Sequence, residues 1–251
     1  MQLRVPGYIV VVLSFATMAL AQDRAVTLPH TEYREFTSKV TGRPNAVYAS
    51  LPDSYDAETT RRYPVLFATD AHVQFPILVS TYRYLRLTSE VPEMIIVAMA
   101  GADVTRWSSL RTAELTPTRV AASEQRISKA LGQEMQTGGA VALVRVFREE
   151  LIPDIERRYR TADRAFVGHS FGGLFGTFAL LHAPDLFPKL ILDSPSLYWD
   201  DNTMFAMEEK LATSNQDMKV EVFIAAGMLE PEPMTTDAKR IAAILASGKY
   251  K

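Results

Sequence analysis

The run Gly168-His169-Ser170-Phe171-Gly172-Gly173 constrains this chain more than any other segment. It matches G-x-S-x-G, a turn that pushes a serine hydroxyl outward between a β-strand and an α-helix. The flanks agree with that geometry. Arg164-Ala165-Phe166-Val167 reads as a short buried strand leading in, and Leu174 to Leu181 as an apolar helix leading out. A serine in such a turn takes a strained backbone conformation, and glycines at the flanking positions avoid clashes with the neighbouring strand and helix. Ser170 is therefore a candidate nucleophile; a Gly-rich turn that only packs is the plainer alternative.

The rest of the chain supplies strands and helices in alternation. Glu35 to Leu51 alternates around Gly42-Arg43-Pro44-Asn45 and reads as a hairpin. Tyr63 to Thr69, Met94 to Met99, Ile191 to Ser194 and Val220 to Ala226 are apolar runs of strand length. Such continuous runs suit a parallel sheet covered on both faces. Ala140 to Arg158 shows helical spacing, with Val144, Phe147, Leu151 and Ile155 on one face, and Thr235 to Ala246 reads as a final amphipathic helix. Gly101 to Gly139, rich in Thr, Ser and Arg, reads as a long polar connection of the functional or mobile kind. The expectation is an α/β domain with an open, mostly parallel sheet flanked by helices.

Composition narrows the chemistry. A chain of 251 residues, 47% apolar, suffices for one such domain with a sizeable core. A net charge of −2 gives no reason to expect nucleic acid or an anionic membrane as partner. No cysteine is present, which excludes disulfides, thiolate metal sites and a cysteine nucleophile. The amino terminus reads as a signal peptide: Arg4, an apolar run from Tyr8 to Leu20 too short to span a membrane, then Ala19-Leu20-Ala21 as a cleavage site. An uncleaved anchor is the alternative. The expected organisation is 1–21 as signal peptide and 22–251 as one domain, periplasmic or secreted after cleavage near Ala21, with no membrane contact afterwards.

Beyond the elbow, several stretches together resemble the esterase D-like branch of the α/β-hydrolases. That branch holds siderophore (trilactone) esterases, feruloyl and acetylxylan esterases, and S-formylglutathione hydrolases. Tyr63-Pro64-Val65-Leu66-Phe67 followed by Asp70-Ala71 resembles its YPVLY…DG segment. Arg111 with Leu115-Thr116-Pro117 resembles its R-x-x-D-L-T-P stretch, with Glu114 in the Asp place. Phe147 to Pro153 with Tyr159-Arg160, and Ser194 to Trp199, resemble two further stretches. The combination is most similar to the single-domain, siderophore-esterase-like members. The resemblance implies an α/β-hydrolase fold and a serine ester hydrolase that needs no cofactor and no metal. Its substrate would be a small carboxylic ester or siderophore lactone.

The chemistry requires a nucleophile, a base and oxyanion donors. Ser170 would form the acyl-enzyme, and the N–H of Phe171 would be one oxyanion donor. The resemblance puts the second donor at Ala71. It also puts the acid at Glu230, after the Val220–Ala226 strand, with Glu232 as competitor. His72, Arg106, Trp107, Arg111 and Tyr198 are candidate substrate contacts; solvated loop or packing roles are their alternatives. In this fold the base is a histidine that follows the acid, and none of the four histidines does. The resemblance therefore implies a chain lacking the last strand and its histidine loop. Val220–Ala226 would then be an exposed edge able to self-associate, with a monomer as the other possibility. His72 is the candidate substitute base. The alternatives to an active esterase are a binding protein without turnover and a remnant that folds poorly.

Overall fold

In the computed structural model, residues 26–213 and 218–247 are described. The expected signal peptide lies outside them. A seven-stranded sheet runs in the order β1-β2-β4-β3-β5-β6-β7. β1 (Thr31–Thr37) and β2 (Pro44–Ser50) form the hairpin, and β2 pairs antiparallel with β4 (Ile95–Gly101). From β4 on, every pairing is parallel, through β3 (Tyr63–Ala68), β5 (Thr161–His169), β6 (Lys189–Asp193) and β7 (Glu221–Ala225). β3 and β4 are continuous apolar runs because helices cover both their faces.

One face carries the larger core. There Phe67, Phe147, Phe166, Phe175 and Phe187 pack edge-on, tilted or, for Phe147 on Phe175, stacked, at centroid separations of 4.9–6.2 Å. This face is covered by α2 (Trp107–Leu115), α4 (Ala140–Arg145), α5 (Ile152–Arg158) and α6 (Phe171–His182). Towards the β7 end, α7 (Trp199–Ala212) and α8 (Glu232–Ala246) continue it. The other face is covered by α1 (Ala71–Arg86), which buries Ala71, Phe75, Val79 and Tyr82 against β4. Beyond β5 that face stands open among the described residues: Ile191 is 39% and Phe223 64% exposed. Among the described residues β7 is the outer strand at this end of the sheet.

Two readings need correction. Gly101–Gly139 is not one long loop, for it contains α2 and α3 (Ala121–Leu131). The expected single helix over 140–158 is interrupted by a π-helical turn, Val146–Leu151. That turn runs straight into α5, whose second residue Pro153 lacks an N–H, so the wider turn falls where a regular helical ladder would miss a donor.

Candidate active site

The carboxyl ends of β3, β5 and β6 meet where an open parallel sheet binds its ligands. Ser170 follows β5 directly and caps α6, with φ 58° and ψ −116°, a region that side chains rarely enter. The surroundings hold it there. Its N–H donates to the Asp193 carbonyl at 3.0 Å, and its own carbonyl accepts from Leu174 at 2.9 Å and Ser196 at 3.2 Å. Packing around the turn is as close as the motif demands. A Cβ on Gly173 would lie 2.9 Å from the Pro195 backbone, and one on Gly172 would lie 2.7 Å from Thr69 Oγ1. The Ser170 hydroxyl lies 3.4 Å from that of the fully buried Ser196.

Both expected oxyanion donors stand at the first position of a helix, Phe171 in α6 and Ala71 in α1. Amides at that position have no partner within the helix. Asp70 turns the chain from β3 into α1 through a left-handed conformation, φ 55° and ψ 41°, and its carbonyl accepts from Val73 and Gln74. The Ala71 amide is left out of these bonds.

Glu230 lies beyond β7, in a turn closed by its own N–H on the Gly227 carbonyl at 3.1 Å. Its Oε1 accepts from the Ser194 hydroxyl at 2.5 Å, while its Oε2 is buried with no hydrogen-bond partner. Ser194 itself sits at φ 45°, just after β6. The carboxylate is thus fixed on one oxygen and can accept an N–H on the other. Glu232, its competitor, is the first residue of α8 and accepts from the Thr236 hydroxyl at 2.9 Å on the surface.

The expected substrate contacts disperse. His72 does not share Ser170's surroundings. One ring nitrogen, Nε2, donates to the Gly101 carbonyl at 2.9 Å, which leaves Nδ1 to accept from the Tyr48 hydroxyl at 3.1 Å. It belongs to the β4 end of the sheet, and β4 and β5 flank β3 on opposite sides, about 9–10 Å apart. Both nitrogens are thus engaged, so to act as a base on Ser170 His72 would have to give up one of these bonds. Of the other histidines, His169, the residue before Ser170, meets Asp193 through Nδ1 at 2.8 Å, His182 stacks on Phe178, and His30 faces Asp53 at 3.8 Å. Arg106 lines a separate hollow with Arg43, Leu110 and Gln136. Tyr198 is 45% exposed beside the buried Trp199, whose Nε1 donates to Thr118 Oγ1 at 3.1 Å.

Trp107 and Arg111 do come together, but around a partner the sequence did not assign. Arg111 forks onto Asp70, with Nε to Oδ1 at 2.7 Å and Nη2 to Oδ2 at 2.9 Å. Asp70 has a legible signal in hindsight: a lone acid directly after a continuous apolar strand, at the end where parallel sheets carry function.

Glu114, one turn further along α2, lies 3.8 Å from Arg43. Burial pushes its carboxyl up to about 7, against the pull of Arg43, and the charge on Asp70 adds to the rise. A carboxyl raised on folding stabilises the native state while protonated, and that contribution is lost as pH climbs from about 4.5 to about 7. A Glu114→Gln chain is therefore expected to gain stability relative to the parent across this window, on the order of 3 kcal/mol at pH 8. Urea unfolding of both chains at pH 5 and pH 8 measures the difference; parallel behaviour at the two values would refute the assignment.

The comparisons with known proteins fit this architecture. The family model described as putative esterase matches residues 38–249. Ferri-bacillibactin esterase BesA of Bacillus subtilis (strain 168) is 30% identical over 217 residues, 83% of this chain and 73% of the relative. The BES protein from Bacillus cereus superposes with a TM-score of 0.77 at 24% identity, covering 92% of this chain and 89% of its own. An IroE-like serine hydrolase from Shewanella oneidensis gives a TM-score of 0.70 at 25% identity, over 86% and 68% of the two chains. The chain belongs to the putative esterase family, among the α/β-hydrolases similar to siderophore esterases.

Proposed function

We propose that this protein hydrolyses a small carboxylic ester through an acyl-enzyme on Ser170. The observation that carries the reading is the conformation of Ser170 at the start of α6, φ 58° and ψ −116°, locked between β5, β6 and the first turn of the helix. A strained serine at this point serves no packing purpose, and Phe171 and Ala71, each first in its helix, offer amides that have no partner within the helix. In the step proposed, Ser170 Oγ attacks the ester carbonyl and gives up its proton, the carbonyl oxygen takes up negative charge under the N–H groups of Phe171 and Ala71, and collapse breaks the ester C–O bond and expels the alkoxy group, which leaves as the alcohol carrying that proton. Water then releases the acid. Glu230 is the acid of this scheme: its Ser194-anchored carboxylate would accept an N–H from a histidine base. No described histidine stands in that place, and this is the observation that favours a second reading, ligand binding without turnover.

The names of the relatives point to an ester of the siderophore class, a lactone whose ring Ser170 would open. Export, to the periplasm or out of the cell, follows from reading residues 1–21 as a signal peptide; among the described residues no helix is long and apolar enough to cross a membrane. Self-association through β7 belongs to the same set of proposals.

The test is covalent. The purified chain is treated with a fluorophosphonate probe and digested, and the adduct is located by mass spectrometry. An adduct on the peptide carrying Ser170 is the expected result. A folded, unlabelled chain that still binds a siderophore lactone would support the second reading and reject the first.

A further inference from the structure

The Asp70–Arg111 pair has no part in the reaction as proposed, yet it is the most enclosed ion pair near Ser170, with side chains 4% and 17% exposed. Burying two charges costs several kcal/mol before their attraction repays it, so such a pair calls for an explanation. We propose that Arg111 is a positioning residue that ties the two oxyanion donors, Ala71 and Phe171, to one another. The inference rests on the reading of Ser170 as nucleophile.

The geometry runs from residue to residue. α2 presents Trp107 and Arg111 four residues apart, on one face of the helix. The Arg111 guanidinium centre lies 5.2 Å from the Trp107 ring and 5.2 Å from the Phe171 ring, while its fork closes on both carboxylate oxygens of Asp70. Asp70 immediately precedes Ala71, and its left-handed backbone sets the direction in which the Ala71 amide points. Phe171 immediately follows Ser170, and its amide is the other donor. The Phe171 ring is held on a second side by Trp199, edge-on at 5.5 Å. Arg111 therefore grips the residue before one donor by a charged fork and the side chain of the other by a cation–π contact. Nothing but a planar, five-donor group does both at once.

The same contacts argue against Arg111 as a substrate contact. Two of its donors are spent on Asp70, and aromatic rings lie against it. Oxyanion donors must lie within about 2.7–3.1 Å of the developing charge, so a group that fixes their separation acts on the rate without touching substrate.

Two variants test this. Arg111→Lys keeps the charge and loses the fork; Asp70→Asn/Arg111→Gln removes both charges and strands neither. Each is compared with the parent for its rate of labelling by a small uncharged fluorophosphonate, its unfolding temperature, and the NMR positions of the Ala71 and Phe171 amides. The expected result is a labelling rate lower by about 10–100-fold in both variants, with both amides displaced together. An unchanged labelling rate in folded variants would overturn the proposal. It would leave Arg111 a substrate contact, which a small neutral probe does not sense, or a purely structural group, which lowers only the unfolding temperature. If the parent chain does not label at all, it is the nucleophile reading that fails. The amides then decide the brace alone: joint displacement in Arg111→Lys upholds it, and a change confined to α2 refutes it.

Discussion

A Ser170→Gly chain is expected to lose all fluorophosphonate labelling and at the same time to unfold at a higher temperature than the parent. The two effects have one cause. At φ 58° and ψ −116°, Ser170 occupies backbone space open to glycine and costly for any residue with a Cβ, by about 1–3 kcal/mol. Glycine removes that cost and gives back about 0.5–1 kcal/mol through the greater freedom of the unfolded chain. A net gain near 1 kcal/mol raises the midpoint by about 2–4 °C for a domain of this size. Little is lost with the hydroxyl, whose hydrogen bond among the described residues is the long 3.4 Å one with Ser196. Ser170→Ala separates the terms, since it deletes Oγ but keeps Cβ: its labelling should vanish without the rise in midpoint. If Ser170→Gly is no more stable than Ser170→Ala, the turn stores no strain, and the observation behind the proposed function is lost.

How far the sequence carries depends on where each signal lies. The elbow and the central strands were legible because each is a contiguous run whose own residue pattern marks it, apolar along the strands and glycine-spaced at the elbow. α2 was not, because it buries Ser109 and Thr112, which a polar reading assigns to a loop. Their burial is possible because their hydroxyls donate back to backbone carbonyls, Ser109 to Arg106, Thr112 to Ser108 and, just beyond the helix, Thr116 to Thr112. A satisfied hydroxyl packs almost as well as a methyl group, and no hydrophobic period records it. The Asp70–Arg111 pair was illegible for another reason: 41 positions separate its members, and only the crossing of α2 over the end of β3 joins them. The setting of His72 was hidden by sidedness. Being next to Ala71 in sequence turns its ring by about 100° around α1, towards Tyr48 instead of Ser170.

The elbow's close packing leads to the second large effect. Gly168→Ala is expected to destabilise the chain by more than about 3 kcal/mol, beyond the ordinary cost of overpacking a core. A Cβ at Gly168 would stand 2.2 Å from the Gly172 carbonyl oxygen and 2.4 Å from its carbon, with the Gly173 nitrogen at 2.9 Å. All three are backbone atoms of the first turn of α6, so no side chain can swing aside to make room. Relief requires β5 and α6 to part, and Ser170 is the residue that joins them. Gly42 is the control. It has φ +69° in the β1–β2 turn but meets nothing within 4 Å, so Gly42→Ala should cost only the left-handed conformation, about 1–2 kcal/mol. Urea midpoints for both variants measure the contrast. Equal losses would mean that the turn yields to a methyl group, and a turn that yields cannot hold its serine in a strained position. If Gly168→Ala collapses and Gly42→Ala survives, the conformation of Ser170 is imposed by its neighbours' backbones, as a fixed nucleophile requires.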